Sequence, residues 1–111
     1  MSKFCALFSG SKANCAYISS TEGAVLVDAG ASCKAILNAV DEIGENTENI
    51  RAILITHTHS DHIKGLKGLL RELNIPVMAS KKTLNSLSLL NVVTDDTVLV
   101  EIDESIETSF G

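Results

Sequence analysis

The sequence predicts an α/β chain in which a mixed sheet carries flanking helices, and three observations predict it. The first third is built from short apolar runs separated by turn residues. The middle holds "IRAILIT", an almost wholly apolar, β-branched stretch of the kind that fills a buried central strand. After it, apolar residues at helical spacing alternate with short strand-like runs, which is the order of a sheet with crossover helices.

Taken in order, "KFCALF" and "CAYISS" read as two strands joined by the turn-rich "SGSKAN". "TEG" is a hairpin turn into "GAVLVDAG", a strand that ends at Asp28 and Gly30, so the first three strands are expected to run antiparallel. Ser32 is placed to cap a helix through Ile43, with Ile36, Val40 and Ile43 on one side and Gly44 as its stop. "DHIKGLKGLLRELN" has apolar residues at Ile63, Leu66, Leu69, Leu70 and Leu73. Its Gly65 and Gly68 weaken a helix and point to close packing at its start. "IPVMAS" is a further strand, Ser80 caps a helix through Leu90, and "TVLVEI" is one more strand. The final "SIETSFG" reads as the start of another strand or hairpin. Three helices are too few for two faces, so one face of the sheet is expected to lack cover.

The composition, 45% hydrophobic and 21% charged over 111 residues, is that of one ordinary globular domain or part of one. Aromatics are confined to Phe4, Phe8, Tyr17 and Phe110, so an aliphatic core is expected. A net charge of −5 argues against a generic basic nucleic-acid surface, although a bound divalent cation can supply positive charge locally. The acidic runs Asp41 to Glu48 and Asp95 to Glu107 read as solvated surface. Cys5, Cys15 and Cys33 form no C-x-x-C pair. With no export signal and no run of about 20 apolar residues, they point to a reduced, cytoplasmic chain whose thiols are packing residues.

Every histidine of the chain lies in "THTHSDHIKG", Thr56 to Gly65. His57 and His59 are two apart, so on a chain still extended from the strand their imidazoles point the same way. Asp61 and His62 follow where the chain turns into the helix. Imidazole nitrogen with carboxylate oxygen suits a divalent metal, zinc above all, with manganese or iron as alternatives. A structural zinc site would prefer thiolates, and no cysteine lies nearby in sequence. The carboxyl end of a buried strand is also where open α/β sheets place their ligands.

This stretch resembles the H-x-H-x-D-H signature of the metallo-β-lactamase superfamily, with Thr56 before it and Gly65 after it. "AVLVDAG" is similar to the strand and D-x-G turn that precede the signature there. "LFSGSKANCAYI" resembles the opening hairpin of the YycJ/WalJ-type members, except that Ala13 stands where the loop G-S-x-G-N has its second glycine. "HSDHIKGLKGLL" is similar to the matching part of ribonuclease Z.

The resemblance implies the amino-terminal half of an αββα sandwich and a dinuclear metallohydrolase. His57 and His59 would bind the first metal, and Asp61 and His62 the second. The ions would share a hydroxide that attacks an ester, amide or phosphodiester, with Asp61 also orienting it. Asp28 would act from behind the ligands, and Ser11 and Asn14 would lie in a possible substrate loop. The family site also needs two later histidines and a bridging aspartate. No histidine follows His62, and Asp95, Asp96 and Asp103 come too early for that bridge.

The expectation is therefore a single partial domain over residues 1–111, truncated at its carboxyl end and inactive alone. It would be prone to self-association until the missing half of the domain is supplied. Nuclease-like phosphodiester hydrolysis is the favoured activity of the complete protein. A thioesterase of the glyoxalase II kind, a lactonase and a non-catalytic metal-binding module stay open beside it.

Overall fold

The computed structural model describes residues 3–8, 14–57, 63–90, 92–93 and 97–102. Six strands form one sheet in the order β1 (Lys3–Phe8), β2 (Cys15–Ser20), β3 (Gly23–Val27), β4 (Ile50–Leu54), β5 (Val77–Ala79) and β6 (Leu99–Glu101). β1, β2 and β3 pair antiparallel, as expected, and β3 through β6 pair parallel. The parallel pairs are bridged by α1 (Cys33–Glu42), α2 (Leu66–Leu73) and α3 (Lys81–Leu89). A short 3-10 turn, Thr47–Asn49, precedes β4 and has no counterpart in the sequence reading.

The helix ends follow local chemistry. The Ser32 and Ser80 hydroxyls accept hydrogen bonds from the backbone N–H groups of Ala35 and Thr83, satisfying donors that the first turn leaves open. Gly44, just past α1, takes φ +80, and Asn74 ends α2 in the left-handed region at φ +50. The helix expected from Asp61 is broken, and its first two residues lie outside the described ones. Ile63 is helical, a turn interrupts at Lys64–Gly65, and α2 proper begins at Leu66.

Consecutive parallel strands laid in one direction with right-handed crossovers carry all their helices on one face. The core agrees. Ile36 and Val40 of α1, Leu66 and Leu69 of α2 and Leu87 of α3 form one buried cluster with Cys15, Tyr17, Leu26, Ile53, Val77 and Ala79 of the sheet. Tyr17 corrects the expectation of an aliphatic core: it is 1% exposed and among the largest fully buried side chains. Its inward register beside Leu26 outweighs the cost of its hydroxyl, which has no hydrogen-bond partner among the described residues. Burial and the nearby Glu45 carboxylate push its pKa up.

The register places Phe4, Ala6, Ala16, Ile18, Val25, Val27, Ala52, Leu54, Met78 and Val100 on the opposite face, an apolar set bounded at one end by Ser20 and Gly23. None of them belongs to the helix-side cluster; Phe4 at the edge is 68% exposed, whereas Ala52 and Leu54 of the central β4 are buried. The face expected to lack cover is therefore also the face built to be covered. Within β4 only Arg51 is exposed, at the irregularity between Ala24 and Val25 in the pairing with β3. The terminal "SIETSFG" and most of the second acidic run lie outside the described residues.

Candidate functional site

The site is built where β3 and β4 end side by side. β3 stops at Val27, and Asp28 turns the chain with φ +64, a left-handed conformation that aspartate tolerates better than most residues. Its backbone N–H donates to the Leu54 carbonyl at 2.7 Å, so the turn is pinned to the end of β4. Asp28 is the one buried charged side chain among the described residues, at 5% exposure. Its carboxylate faces the residue that leaves β4. Thr56 donates to it twice, from its backbone N–H to Oδ1 at 2.8 Å and from its hydroxyl to Oδ2 at 2.6 Å. The Thr56 hydroxyl oxygen lies 3.0 Å from Nδ1 of His57, whose side chain is exposed. Asp28, Thr56 and His57 thus form one continuous polar chain from the buried turn to the surface.

Backbone ties hold the surrounding segments to this turn. Gly30 N–H donates to the Asn14 carbonyl at 2.8 Å, fastening the residue before β2 to the end of β3. Gly65 N–H donates to the Ala29 carbonyl at 2.7 Å, fastening the entry to α2. The close packing expected at Gly65 and Gly68 is present. A Cβ on Gly65 would run into the Ala31 carbonyl oxygen, and one on Gly68 would come within 2.8 Å of the Cys33 Cβ. Cys33 is accordingly a packing thiol, its pKa pushed up by burial first and by Glu72 second. Cys15 lies beneath the turn at 3% exposure; burial, and then the Asp28 charge, push its thiol up to about 12.

Of the four expected metal ligands, His57 is at the carboxyl end of β4 as predicted, while His59, Asp61 and His62 lie outside the described residues. Ser11 lies outside them as well; Asn14 is half-buried beside Gly30. Among the described residues no group of three or more His, Cys, Asp or Glu side chains is gathered for a metal. The donor chemistry fits one nonetheless. His57 is held by a neighbour at one ring nitrogen, an arrangement that orients metal-binding imidazoles. A hollow of about 540 Å³ between Lys67, Arg71, Pro76 and Val98 lies at the opposite end of the sheet, away from this chemistry. No helix among the described residues is long and apolar enough to cross a membrane.

Thr56, in sequence only the residue before the histidine signature, is the one that joins Asp28 to His57. Its available signal was a hydroxyl residue placed between a strand end and a histidine.

Comparison with known proteins supplies the wider context. Residues 9–99 match the family model of the metallo-beta-lactamase superfamily. The chain is 40% identical over 103 residues to the exodeoxyribonuclease YycJ of Bacillus anthracis, covering 91% of this chain and 39% of that protein. It is 43% identical over 81 residues to the exodeoxyribonuclease WalJ of Streptococcus pneumoniae serotype 2, covering 73% of this chain and 30% of that protein. Among solved structures, a B3 metallo-beta-lactamase with an active-site glutamic acid superposes with a TM-score of 0.62 at 33% identity, over 68% of this chain and 29% of that one. The chain spans less than half the length of each of these proteins.

Proposed function

Because the chain belongs to the metallo-β-lactamase superfamily, we propose that it carries the amino-terminal part of a metal-dependent phosphodiesterase site whose substrate is a nucleic acid. The observation that carries this reading is the placement of H-x-H-x-D-H directly after a buried parallel strand, with its first histidine tied through Thr56 to the buried Asp28. The exodeoxyribonuclease relatives favour DNA over a small ester as the substrate.

His57, His59, Asp61 and His62 would hold two divalent ions, with zinc the best match to this donor set and manganese or iron as alternatives. Such ions supply a water nucleophile at neutral pH and stabilise charge on the phosphoryl oxygens. The chain's own contribution is orientation. Asp28 is fixed by its backbone bond to Leu54 and positions Thr56, which in turn positions His57. Asn14, fastened beside that turn through its carbonyl, would meet the substrate together with Ser11. Since no histidine follows His62, the remaining ligands would come from the part of the fold that the longer relatives carry.

The experiment is a nuclease assay with Mn²⁺ or Zn²⁺ on single- and double-stranded DNA, beside zinc calorimetry. The 111-residue chain alone is expected to bind zinc weakly and to leave DNA intact. Fused to the carboxyl-terminal part of the Bacillus anthracis relative, it is expected to degrade DNA, and His57→Ala is expected to abolish the activity. Stoichiometric tight zinc binding or DNA turnover by the chain alone would overturn the claim that the site is partial. A fusion that cleaves a glutathione thioester but not DNA would overturn the substrate class. A fusion that binds metal and turns over neither would leave a non-catalytic module as the answer.

A further inference from the structure

We infer that Thr56 selects the tautomer of His57, holding its proton on Nδ1 and its lone pair on Nε2. The assignment follows from counting protons along the chain Asp28–Thr56–His57. A carboxylate only accepts, a threonine hydroxyl has one proton to give, and a neutral imidazole has one donor and one acceptor nitrogen. The Thr56 Oγ1 to Asp28 Oδ2 distance of 2.6 Å is that of a short, charge-assisted O–H···O⁻ bond, so the hydroxyl proton lies on that side. Oγ1 then has only lone pairs to offer His57 across 3.0 Å, and Nδ1 must be the donor.

The opposite arrangement, with the hydroxyl donating to Nδ1, would leave two oxygens facing each other at 2.6 Å with no proton between them. Asp28 cannot turn away to relieve this. Its backbone N–H is bound to Leu54, its other oxygen accepts from the Thr56 backbone, and the side chain is buried. The direction of the chain is therefore set from its buried end.

The consequence deepens the proposed function and rests on it: the nitrogen without a proton is the one a metal can take, so the polar chain would choose which side of the His57 ring binds. The tautomer itself rests on the hydrogen bonds alone. Thr56 acts here as a positioning residue, through His57.

The test is the two-bond ¹H–¹⁵N correlation spectrum of the metal-free chain labelled with [¹⁵N]histidine, at about pH 8.5, where free imidazole is neutral. His57 is assigned by loss of its signals in His57→Gln. Wild type is expected to show the Nδ1-protonated pattern for His57, a measurement that uses the His57→Gln variant only for assignment. Thr56→Val is expected to lose the pattern and Thr56→Ser to restore it. Asp28→Asn is expected to reverse the chain. Its side-chain amide would donate to Oγ1, the hydroxyl would donate to Nδ1, and the ring proton would move to Nε2. In zinc titrations Thr56→Val should bind about ten- to a hundred-fold more weakly, with Thr56→Ser close to wild type.

An Nε2-protonated His57 in the wild-type chain, or a pattern that Thr56→Val leaves unchanged, overturns the inference. If the Nδ1-protonated pattern is present and no zinc binds, the tautomer assignment stands and the metal reading falls.

Discussion

Replacing Gly65 by alanine tests whether the site turn and the start of α2 are as closely packed as the structure shows. Gly65 has φ −95 and ψ 0, an ordinary conformation for alanine, so the substitution carries no backbone penalty of its own. What it lacks is room. The new methyl group would meet the Ala31 carbonyl oxygen, the Cys33 nitrogen at 3.0 Å and the Ser32 carbonyl carbon at 3.1 Å. All three are backbone atoms of the turn that enters α1, and none is the tip of a side chain that could swing aside. Overpacking costs about 1–3 kcal/mol, and rigid neighbours favour the upper part of that range. If α2 retreats to make space, the 2.7 Å bond from Gly65 N–H to Ala29 is stretched, which adds about 1 kcal/mol. The expected loss is about 3 kcal/mol.

Gly44→Ala is the control, because that glycine has φ +80 and nothing within 4 Å of the added carbon. It should cost about 1–2 kcal/mol, through backbone strain alone. Urea unfolding followed by far-ultraviolet circular dichroism gives both values. A Gly65→Ala chain that unfolds at the same urea concentration as Gly44→Ala, or later, would refute the packing argument.

Two further outcomes are expected. The fold keeps Cys15 as a neutral thiol, with its pKa raised from 9.0 to about 12, so this contribution to stability is complete below pH 9 and is lost as pH rises from 9 towards 12. The loss is about 1.4 kcal/mol per pH unit, and Tyr17 and Cys33 are shifted in the same direction. Urea midpoints that stay constant between about pH 8 and about pH 10.5 would contradict it. Separately, the apolar face opposite the helices should make the chain self-associate in sedimentation experiments. The double variant Phe4→Lys with Ile18→Lys, which places charge on two cross-strand neighbours of that face, should be monomeric. A wild-type chain that stays monomeric as its concentration rises would show that the face is covered in some other way.

The elements legible in the sequence were those written in strong local chemistry. Serine caps at Ser32 and Ser80, the stop at Gly44 and the β-branched run of β4 each state their structure within a few residues. Gly65 and Gly68 announced a close approach without naming the partner, because the partner is a turn more than thirty residues earlier in the chain. Tyr17 could not be placed from its neighbours, since its burial depends on pairing with Leu26 and on helices from later in the chain. The same applies to the site. The metal-ligand pattern is a local run, while the partnership of Asp28 with Thr56 spans 28 residues and exists only because β3 and β4 lie side by side. A threonine before a histidine carries no sign of the carboxylate that will orient it.

The strand order has a consequence for how the molecule comes into being. Each strand pairs with the strand that precedes it in the chain, and each parallel partner is separated from its predecessor by roughly twenty residues. No strand has to wait for a distant segment before it can dock. The sheet can therefore lengthen in the direction of synthesis, with every helix folding back onto an edge that is already formed. Asp28 is pinned only when Leu54 docks beside it, so the carboxylate that aligns the first histidine is set by the same strand that delivers that histidine.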